Sequence, residues 1–432
     1  MSEASGVVGV ATVTEPVESG PSLLRPLRIR DFRLLFAGET VSVLGDQFHF
    51  VALAWLALQL TGSGLALGTV LMMAAIPRAV FMLVGGAFSD RFSPRTLMLA
   101  SNAIRAVVVG ILAALVLGGR AELWHLYVFA AIFGVVDAFF YPALNTIIPM
   151  LVPQRQLAPA NALVQGAQQI MGLVGPALAG VMIALVQTGP AFAINAVSFG
   201  IAAAALLLII GGRRHADPAA EGERPAVLAT IAGGVRAAWA DPGVRSMVLL
   251  TAAFNFAFTG PISVGLAFLA DNRFDGGSAA FGFLFSAFGA GAVIGAIVGG
   301  SIPRSRHLGG IVMFVAVLLG IGLALIGLAP TLPVALGIIG VMGILIGFIN
   351  VQAIAWLQAR VPDDLRGRVM SLVTLGSVGL APISLAIAGA LIDLGAVTLT
   401  FVAAGGIVIV AALTGIAWGV PRLMVWPEEP TS

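Results

Sequence analysis

Four charged residues lie in stretches of sequence that are otherwise apolar: Asp46, Arg78, Arg105 and Asp137. A buried arginine keeps its charge and therefore needs a carboxylate nearby. A carboxylate in such surroundings can bind and release a proton as its compensation changes. We therefore predict proton coupling by Asp46 and Asp137, with Arg78 and Arg105 as their counter-charges. The alternative is a static ion pair that only orients helices.

The composition of the whole chain is that of a membrane protein. Of 432 residues, 59% are hydrophobic and 10% are charged, and the mean hydropathy is +1.04. A soluble domain is about 25% charged, so the main solvent of this chain is expected to be a lipid bilayer. The net charge of +2 gives no indication of nucleic-acid binding, and the absence of cysteine excludes disulfides and thiolate metal sites.

The apolar stretches are long enough to be membrane helices, which need about 20 residues each. Twelve are found, at residues 34–60, 65–89, 96–118, 123–150, 159–187, 190–211, 245–270, 279–302, 309–329, 332–359, 367–393 and 396–420. We predict an all-α polytopic membrane protein with twelve transmembrane helices in two pseudo-symmetric six-helix bundles. The predicted regions are a disordered cytosolic tail (1–33), an N-terminal bundle (34–211), a central cytosolic loop (212–244), a C-terminal bundle (245–420) and a cytosolic tail (421–432).

The positions of the arginines predict the orientation. If both termini are cytoplasmic, the loops on the outer side hold Arg120 and Arg273 alone, as expected for positively charged inner loops. The first thirty residues lack the charged start and short apolar core of a signal peptide. We therefore expect a multi-pass protein of the cell (inner) membrane with both termini in the cytoplasm.

Weak internal repeats relate the two halves. Val152-Pro153 aligns with Val361-Pro362, and the Val-Gly-Gly that begins at Val84 aligns with the one that begins at Val298. Each pair falls at the same place in its half. Parallel repeats of this kind place a substrate site near the midplane between the halves, which rock to expose it alternately.

The loop between the second and third helices, Gly86-Ala-Phe-Ser-Asp90-Arg91-Phe-Ser-Pro-Arg95, resembles the Gly-x-x-x-Asp-Arg-x-Gly-Arg-Arg signature of the major facilitator superfamily. It departs from that signature at positions 93 and 94. The resemblance implies a conformational latch in which Asp90 meets the eleventh helix and stabilises an outward-open state. A solvated cytosolic turn is the alternative interpretation.

The fifth helix contains Gly175, Pro176 and Gly180, which resemble the Gly-Pro-x-x-Gly-Gly motif of antiporters in this superfamily. Proline bends the helix, and the glycines let it lie against a partner in the other half; generic glycine packing is the alternative. With Gly45-Asp46-Gln47 and the stretch from Tyr141 to Ala162, the chain is similar to the bacterial drug-exporter branch that includes macrolide-efflux and enterobactin-exporter proteins.

In this superfamily the first, fourth and seventh helices line the central cavity, so polar and aromatic stripes on those helices are expected to face substrate. The predicted substrate-binding residues are His49, Tyr141, Asn145, Gln165, Gln168, Asn255, Phe258 and Trp356. Glu39 is expected near the cytosolic mouth, where water would solvate it.

These features predict a secondary active transporter, a proton-coupled antiporter that exports small amphipathic compounds by alternating access. An importer or passive facilitator is the main alternative; a non-transporting receptor and an intramembrane carboxylate hydrolase are remote ones. The sequence has no Walker-type phosphate loop and no His-Glu-x-x-His zinc motif. We therefore expect no enzyme activity and no cofactor or metal. The expected energy source is the proton gradient, and the expected partners are the substrate, protons and lipid, with a monomer as the working unit.

Overall fold

The computed structural model describes residues 23–89, 92–211, 235–236, 238–303, 305, 307–362, 365, 369–370, 372–374, 376 and 379–426, with backbone alone for 82–89. Throughout these ranges the regular structure is helical. Eleven helices are long and apolar enough to cross a membrane, and a shorter apolar helix completes the set. The predicted all-α, twelve-helix fold is confirmed.

Eleven of the helices follow the predicted apolar stretches to within a few residues, whereas the eleventh, predicted over 367–393, begins at Ala381 after a turn at 379–380. They are α1 Arg30–Thr61, α2 Gly64–Ser89, α3 Pro94–Leu117, α4 Leu123–Leu151, α5 Leu157–Val186, α6 Thr188–Leu208, α7 Pro242–Asn272, α8 Gly277–Ser301, α9 Leu308–Leu328, α10 Leu332–Arg360, α11 Ala381–Asp393 and α12 Val397–Ala417. A π-helical turn at Pro261–Gly265 interrupts α7. The predicted start of the eleventh helix and most of the predicted central loop lie outside the described residues.

Local sequence explains where the helices begin and end. Ser93 caps α3 by accepting a hydrogen bond from the backbone N–H of Thr96, and Pro94 follows at the first helical position. At the equivalent place in each half, α4 ends before Val152 and α10 ends before Val361. In both cases the next residue is proline, which disfavours helical conformation in its predecessor, so the aligned Val-Pro pairs stop the same helix of each repeat.

The two halves meet mainly through two helix pairs, α5 with α8 and α2 with α11. We call the end of the bundle where α1 begins and α12 finishes the terminal end. The described inter-half contacts that involve Gly64, Gly68 and Gly180 lie toward the opposite end, where glycines let the backbones approach closely. One cavity of each half, lined by α4 and α5 in the N-terminal half and mainly by α7 and α10 in the C-terminal half, lies nearer the terminal end.

Candidate functional site

Inside the N-terminal half, Asp137 on α4 is bound to both of the arginines predicted to lie within the membrane. Its Oδ1 accepts a hydrogen bond from Arg105 Nη2 at 2.8 Å, and its Oδ2 lies 3.2 Å from Arg78 Nη1. The carboxylate side chain is 12% exposed. The ion pairing expected from the residue types is therefore present, and Asp137 rather than Asp46 makes it.

The two arginines have different surroundings. The side chain of Arg105 is 2% exposed, and its guanidinium carbon lies 4.6 to 5.3 Å from the ring centres of Phe133, Phe140 and Phe199. Aromatic faces attract a cation, and most strongly when it is desolvated. Arg78 is 44% exposed and lies near a single ring, that of Tyr141. Arg105 is thus fixed in the protein interior, whereas nearly half of the Arg78 side chain is exposed.

Asp46 on α1 lies beside this ion pair without hydrogen bonding to it. Its carboxylate is within electrostatic range of both arginines and of Asp137. Its Oδ1 is buried and has no hydrogen-bond partner among the described residues. The preceding Gly45 packs against Ser198 on α6, which directs this part of α1 into the bundle. Asp46 therefore faces the protein interior rather than lipid, as the proton-coupling prediction requires.

Glu39, two helical turns before Asp46 on α1, is a further member of this charged cluster. It was expected to be solvated, and that prediction is wrong because Glu39 is only 6% exposed. It lies within electrostatic range of Arg105 and Asp137, and the side chain of Gln168 faces it. Glu39 and Asp46 are seven residues apart, a spacing that places both on one face of α1. This spacing indicated from the sequence that the two carboxylates lie on the same side of the helix.

His49 lies outside the linings of the two cavities described below, and its contact with substrate stays a prediction. It is 8% exposed, stacks on Phe133 with ring centres 4.7 Å apart, and meets the edge of Phe192 at 5.6 Å. One turn beyond Asp46, α1 has entered the apolar core, where all residues from Val51 to Leu58 are buried. Stacking places His49 between neighbouring helices of its own half.

The other predicted polar residues of this half are brought together in a cavity of about 400 Å³ between α4 and α5. Tyr141, Asn145, Gln165 and Gln168 all line it. Asn161 and Gln169, which share the same face of α5, complete its polar lining. Tyr141 joins this cavity to the charged cluster, because its ring lies beside Arg78 and within electrostatic range of Asp46.

A second cavity, of about 490 Å³, lies in the C-terminal half. Asn255 and Phe258, both predicted to bind substrate, line it together with Phe254, Phe288 and Asn350. Phe258 stacks on Phe254 at 5.1 Å and contacts Phe288 at 5.6 Å. Asn255 donates a hydrogen bond to the carbonyl of Thr251 at 2.9 Å.

Trp356 is absent from this lining, and its contact with substrate stays a prediction. The residue is fully buried, and its indole N–H donates to the carbonyl of Val425 at 3.1 Å. It packs with Met247 and Leu308 in a separate apolar cluster near the terminal end. Trp356 thus secures the chain after α12 against α10.

The helix motif of α5 supports contact between the halves at one of its two glycines. A Cβ at Gly180 would overlap the backbone of α8 at Ser278, and the carbonyl of Pro176 lies directly against Gly282. Ser278 Oγ donates to the carbonyl of Gly180 at 3.0 Å. Gly175 instead faces its own half, where a Cβ would lie 2.5 Å from Cγ of Gln47 on α1.

Of the predicted latch, Asp90 and Arg91 lie outside the described residues, and Gly86 belongs to the part of α2 described by its backbone alone. Arg95 is described and binds within its own half. Its Nε donates to the carbonyl of Leu206 at 2.8 Å and its Nη2 to that of Leu207 at 2.9 Å, so it caps the end of α6. The described hydrogen bonds of Arg95 therefore stay within the N-terminal half, and the latch remains a prediction.

A contact between the halves that the sequence did not indicate closes the opposite end. Asp393, at the end of α11, accepts hydrogen bonds from Ser63 Oγ at 2.5 Å and from the backbone N–H groups of Gly64 and Leu65 at 2.6 and 3.2 Å. It therefore caps the beginning of α2 from the other half. The sequence signal was a charge at a helix end, which did not reveal its partner.

Within the described ranges, no three His, Cys, Asp or Glu side chains converge as metal ligands would. The cluster of Glu39, Asp46 and Asp137 with Arg78 and Arg105 instead holds three carboxylates and two guanidinium groups. If all five groups were ionised, its net charge would be one negative. A proton or one positive group of a ligand could balance that charge.

Comparisons with known proteins agree with this architecture. The sequence model of the Major Facilitator Superfamily matches residues 35–383. The multidrug efflux pump Tap of Mycolicibacterium fortuitum is 26% identical over 86% of this chain and 91% of its own. Macrolide efflux protein A of Streptococcus pyogenes is 23% identical over 88% and 94%. The crystal structure of a bacterial homologue of the iron transporter ferroportin in an inward-facing state superposes with a TM-score of 0.69, at 19% identity, over 92% of this chain and 99% of that one.

Proposed function

We propose that this chain, which belongs to the Major Facilitator Superfamily, is a proton-coupled antiporter that exports small amphipathic compounds across the cell membrane. The family and fold make it a multi-pass membrane transporter rather than an enzyme. The coupling, the direction and the substrate class are inferred from the charged cluster, from the two cavities and from the relatives described above.

Proton coupling is inferred from the charged cluster of the N-terminal half, in which carboxylates outnumber arginines. Arg78 and Arg105 both compensate Asp137, whereas Asp46 has a buried oxygen without a hydrogen-bond partner among the described residues. An uncompensated carboxylate at membrane depth costs several kcal/mol. Binding either a proton or a cationic substrate removes this cost. Competition between the two for one carboxylate makes their transport an exchange.

The contacts between the halves support alternating access. Asp393 and the Gly180–Ser278 contact hold the opposite end closed, while the amide-lined cavity between α4 and α5 and the cavity around Phe258 lie nearer the terminal end. With both termini cytoplasmic, this arrangement is inward-facing and presents the cavities to the cytoplasm. Rocking of the halves would break these contacts and expose Asp46 to the other side.

Export rather than import is supported by the similarity to efflux proteins along nearly the full length of the chain. The cytoplasmic placement of the termini is supported by the arginines, since only Arg120 and Arg273 fall in loops at the opposite end. Arg273 has a structural reason to be there, because it donates to the carbonyl of Gly327 at 2.6 Å and so caps α9.

Inverted membrane vesicles with an acidic interior test the proposal. Ethidium serves as the probe because it is a permanent cation, so a pH difference alone does not concentrate it. Wild-type vesicles should accumulate ethidium above protein-free vesicles, and collapse of the pH difference should release it. Asp46→Asn should abolish this accumulation at equal protein amount.

The other outcomes each oppose the proposal. Accumulation that ignores the pH difference would indicate a passive facilitator, and accumulation only with the gradient reversed would indicate an importer. Binding without any transport would indicate a receptor. Unchanged proton-driven accumulation in Asp46→Asn would remove Asp46 from the mechanism.

A further inference from the structure

The two described cavities nearer the terminal end have opposite chemical character. The cavity between α4 and α5 has five side-chain amides and the Tyr141 hydroxyl in its lining. The cavity of the C-terminal half is lined mainly by aliphatic and phenyl groups, and its described lining contains no ionisable side chain. We call these surfaces the amide wall (Tyr141, Asn145, Asn161, Gln165, Gln168 and Gln169) and the apolar wall (Phe254, Asn255, Phe258, Phe288 and Asn350).

The amide wall is suited to a hydroxyl-rich ligand. Each carboxamide presents donors and an acceptor, and a sugar hydroxyl likewise donates one hydrogen bond and accepts others. In the described part of the chain, the amides of Asn145, Asn161, Gln165 and Gln169 are not engaged in hydrogen bonds with protein groups. A phosphate or carboxylate ligand would instead require guanidinium groups along this lining, and the described lining has none.

The apolar wall is suited to an uncharged, partly aromatic body. Phe254, Phe258 and Phe288 form a continuous series of ring contacts. Asn350 is a polar group among them, and Asn255 keeps a free carbonyl oxygen after donating to Thr251. Ligand pockets of this kind bind by apolar contact and use a few polar groups to fix orientation.

The two walls adjoin across the α5–α8 contact. A Cβ at Gly289 would lie 3.1 Å from Cα of Leu173, so the two helices touch there. Phe288 of the apolar wall immediately precedes Gly289, and Gln169 of the amide wall is one helical turn before Leu173. One molecule that spans this contact would meet both walls.

We propose that the preferred substrate is a glycosylated apolar compound, with its sugar on the amide wall and its apolar body on the apolar wall. This inference rests on the proposed function and adds the chemical class of the cargo. A positive group on the sugar side would lie near the charged cluster, because Tyr141 belongs to the amide wall and contacts Arg78 and Asp46 electrostatically. The sugar is recognised separately from that charge.

Equilibrium binding to the purified full-length protein in lipid nanodiscs separates sugar from charge. Three fluorescent anthracyclines are used: doxorubicin with an aminosugar, hydroxyrubicin with a neutral sugar, and doxorubicinone with none. Wild-type protein should bind hydroxyrubicin about tenfold more tightly than doxorubicinone, which corresponds to one or two net hydrogen bonds. Equal affinities for these two compounds would overturn the proposal.

Variants locate the preference. Gln165→Leu and Asn145→Leu should each reduce the preference for hydroxyrubicin severalfold while leaving doxorubicinone binding unchanged or tighter. Gln59→Leu is the matched control, because Gln59 is an exposed glutamine near the end of α1, away from the amide wall. This variant should retain the preference. Phe258→Ala should weaken the binding of all three compounds. The assignment of the amide wall would be overturned if the preference persisted in both amide variants. It would also be overturned if these variants weakened the binding of hydroxyrubicin and doxorubicinone equally.

These measurements need no proton gradient. If the preference for the sugar holds while acid-driven ethidium accumulation is absent, the proposed antiport fails and the substrate class stands. If ethidium accumulates but the preference is absent, the substrate class fails and the antiport stands.

Discussion

Asp137 and Arg105 form the most buried ion pair of the described structure, with Oδ1 of Asp137 2.8 Å from Nη2 of Arg105 and the arginine side chain 2% exposed. Arg78 contacts the other oxygen of the same carboxylate but is 44% exposed. The two arginines therefore share one carboxylate partner. Water can take the place of that carboxylate more easily at Arg78 than at Arg105.

This difference predicts unequal effects of removing each arginine. Arg105→Gln should destabilise the protein by about 3 kcal/mol, because it breaks a buried pair and leaves a cavity among three phenyl rings. Arg78→Gln should change stability little and lower the rate of ethidium transport. Thermal unfolding of the purified proteins in detergent checks the first effect and vesicle assays the second. Equal losses of stability would show that burial does not distinguish the two arginines.

The hydrogen bonds of Asp393 predict an effect on conformation. Asp393→Ala removes a helix cap that joins the halves, so closure at the opposite end should weaken by about 1 kcal/mol and its open population should rise about fivefold. The chain has no cysteine, so spin labels on Gln59→Cys and Leu394→Cys are site-specific. Their distance distribution should shift to longer values.

Asp271→Ala is the matched control for that experiment. Asp271 is an exposed carboxylate at the same end, and its described side-chain contact is with the neighbouring Asn272. This variant should leave the distance distribution unchanged. If Asp393→Ala also left it unchanged, closure would depend on helix packing and not on Asp393.

The glycines of α5 offer a comparison of identical substitutions within one helix. Gly180→Ala places a methyl group against the backbone of α8, and overpacking of this kind costs about 1 to 3 kcal/mol. At Gly172 a Cβ would meet open space, and alanine gains there from its better helix propensity. We expect a large loss of transport rate for Gly180→Ala and none for Gly172→Ala at equal expression. Similar rates in the two variants would exclude a close α5–α8 contact from the transport cycle.

The cap of α7 predicts how stability depends on pH. Burial raises the pKa of Asp241, but the hydrogen bond from Arg360 and those from the backbone N–H groups of Val244 and Gly243 outweigh it, so the pKa is lowered overall. A carboxyl with a lowered folded-state pKa contributes stability above its unfolded pKa of about 4 and loses that contribution as pH falls through the folded value.

Unfolding temperatures measured from pH 7 down to pH 3 check this dependence. The wild type should lose stability below about pH 4 more steeply than Asp241→Asn, which can still cap the helix but has no charge to lose. Arg360→Gln should flatten the same part of the curve, because the 2.9 Å ion pair with Asp241 is absent. Parallel curves for all three proteins would contradict the account of this cap.

The helices were predictable because each depends on a local property, an apolar stretch bounded by polar residues. The charged residues of the membrane interior were also recognisable one by one. Their pairing was not, since sequence gives no distance between α1, α3 and α4, and either Asp46 or Asp137 could have matched the arginines. The structure selects Asp137 and leaves Asp46 with a buried, unbonded oxygen.

The surroundings of His49, Trp356 and Glu39 differ from those expected, for a common physical reason. Helical spacing predicts which residues share a face, but a polar or aromatic face can pack against another helix as well as against a cavity. His49 stacks on a phenyl ring, and the indole N–H of Trp356 donates to a backbone carbonyl. Glu39 is enclosed by neighbouring helices despite its position near a helix end.

Proton release on substrate binding tests the central claim most directly, because the claim is that one carboxylate exchanges a proton for a cation. Purified protein in weakly buffered solution is mixed with ethidium, and the pH change is compared with the amount of ethidium bound. The charge difference between three carboxylates and two arginines predicts release of about one proton per bound cation. Asp46→Asn should bind ethidium more weakly and release none. Cation binding without proton release in the wild type, or equal release in Asp46→Asn, would contradict the account.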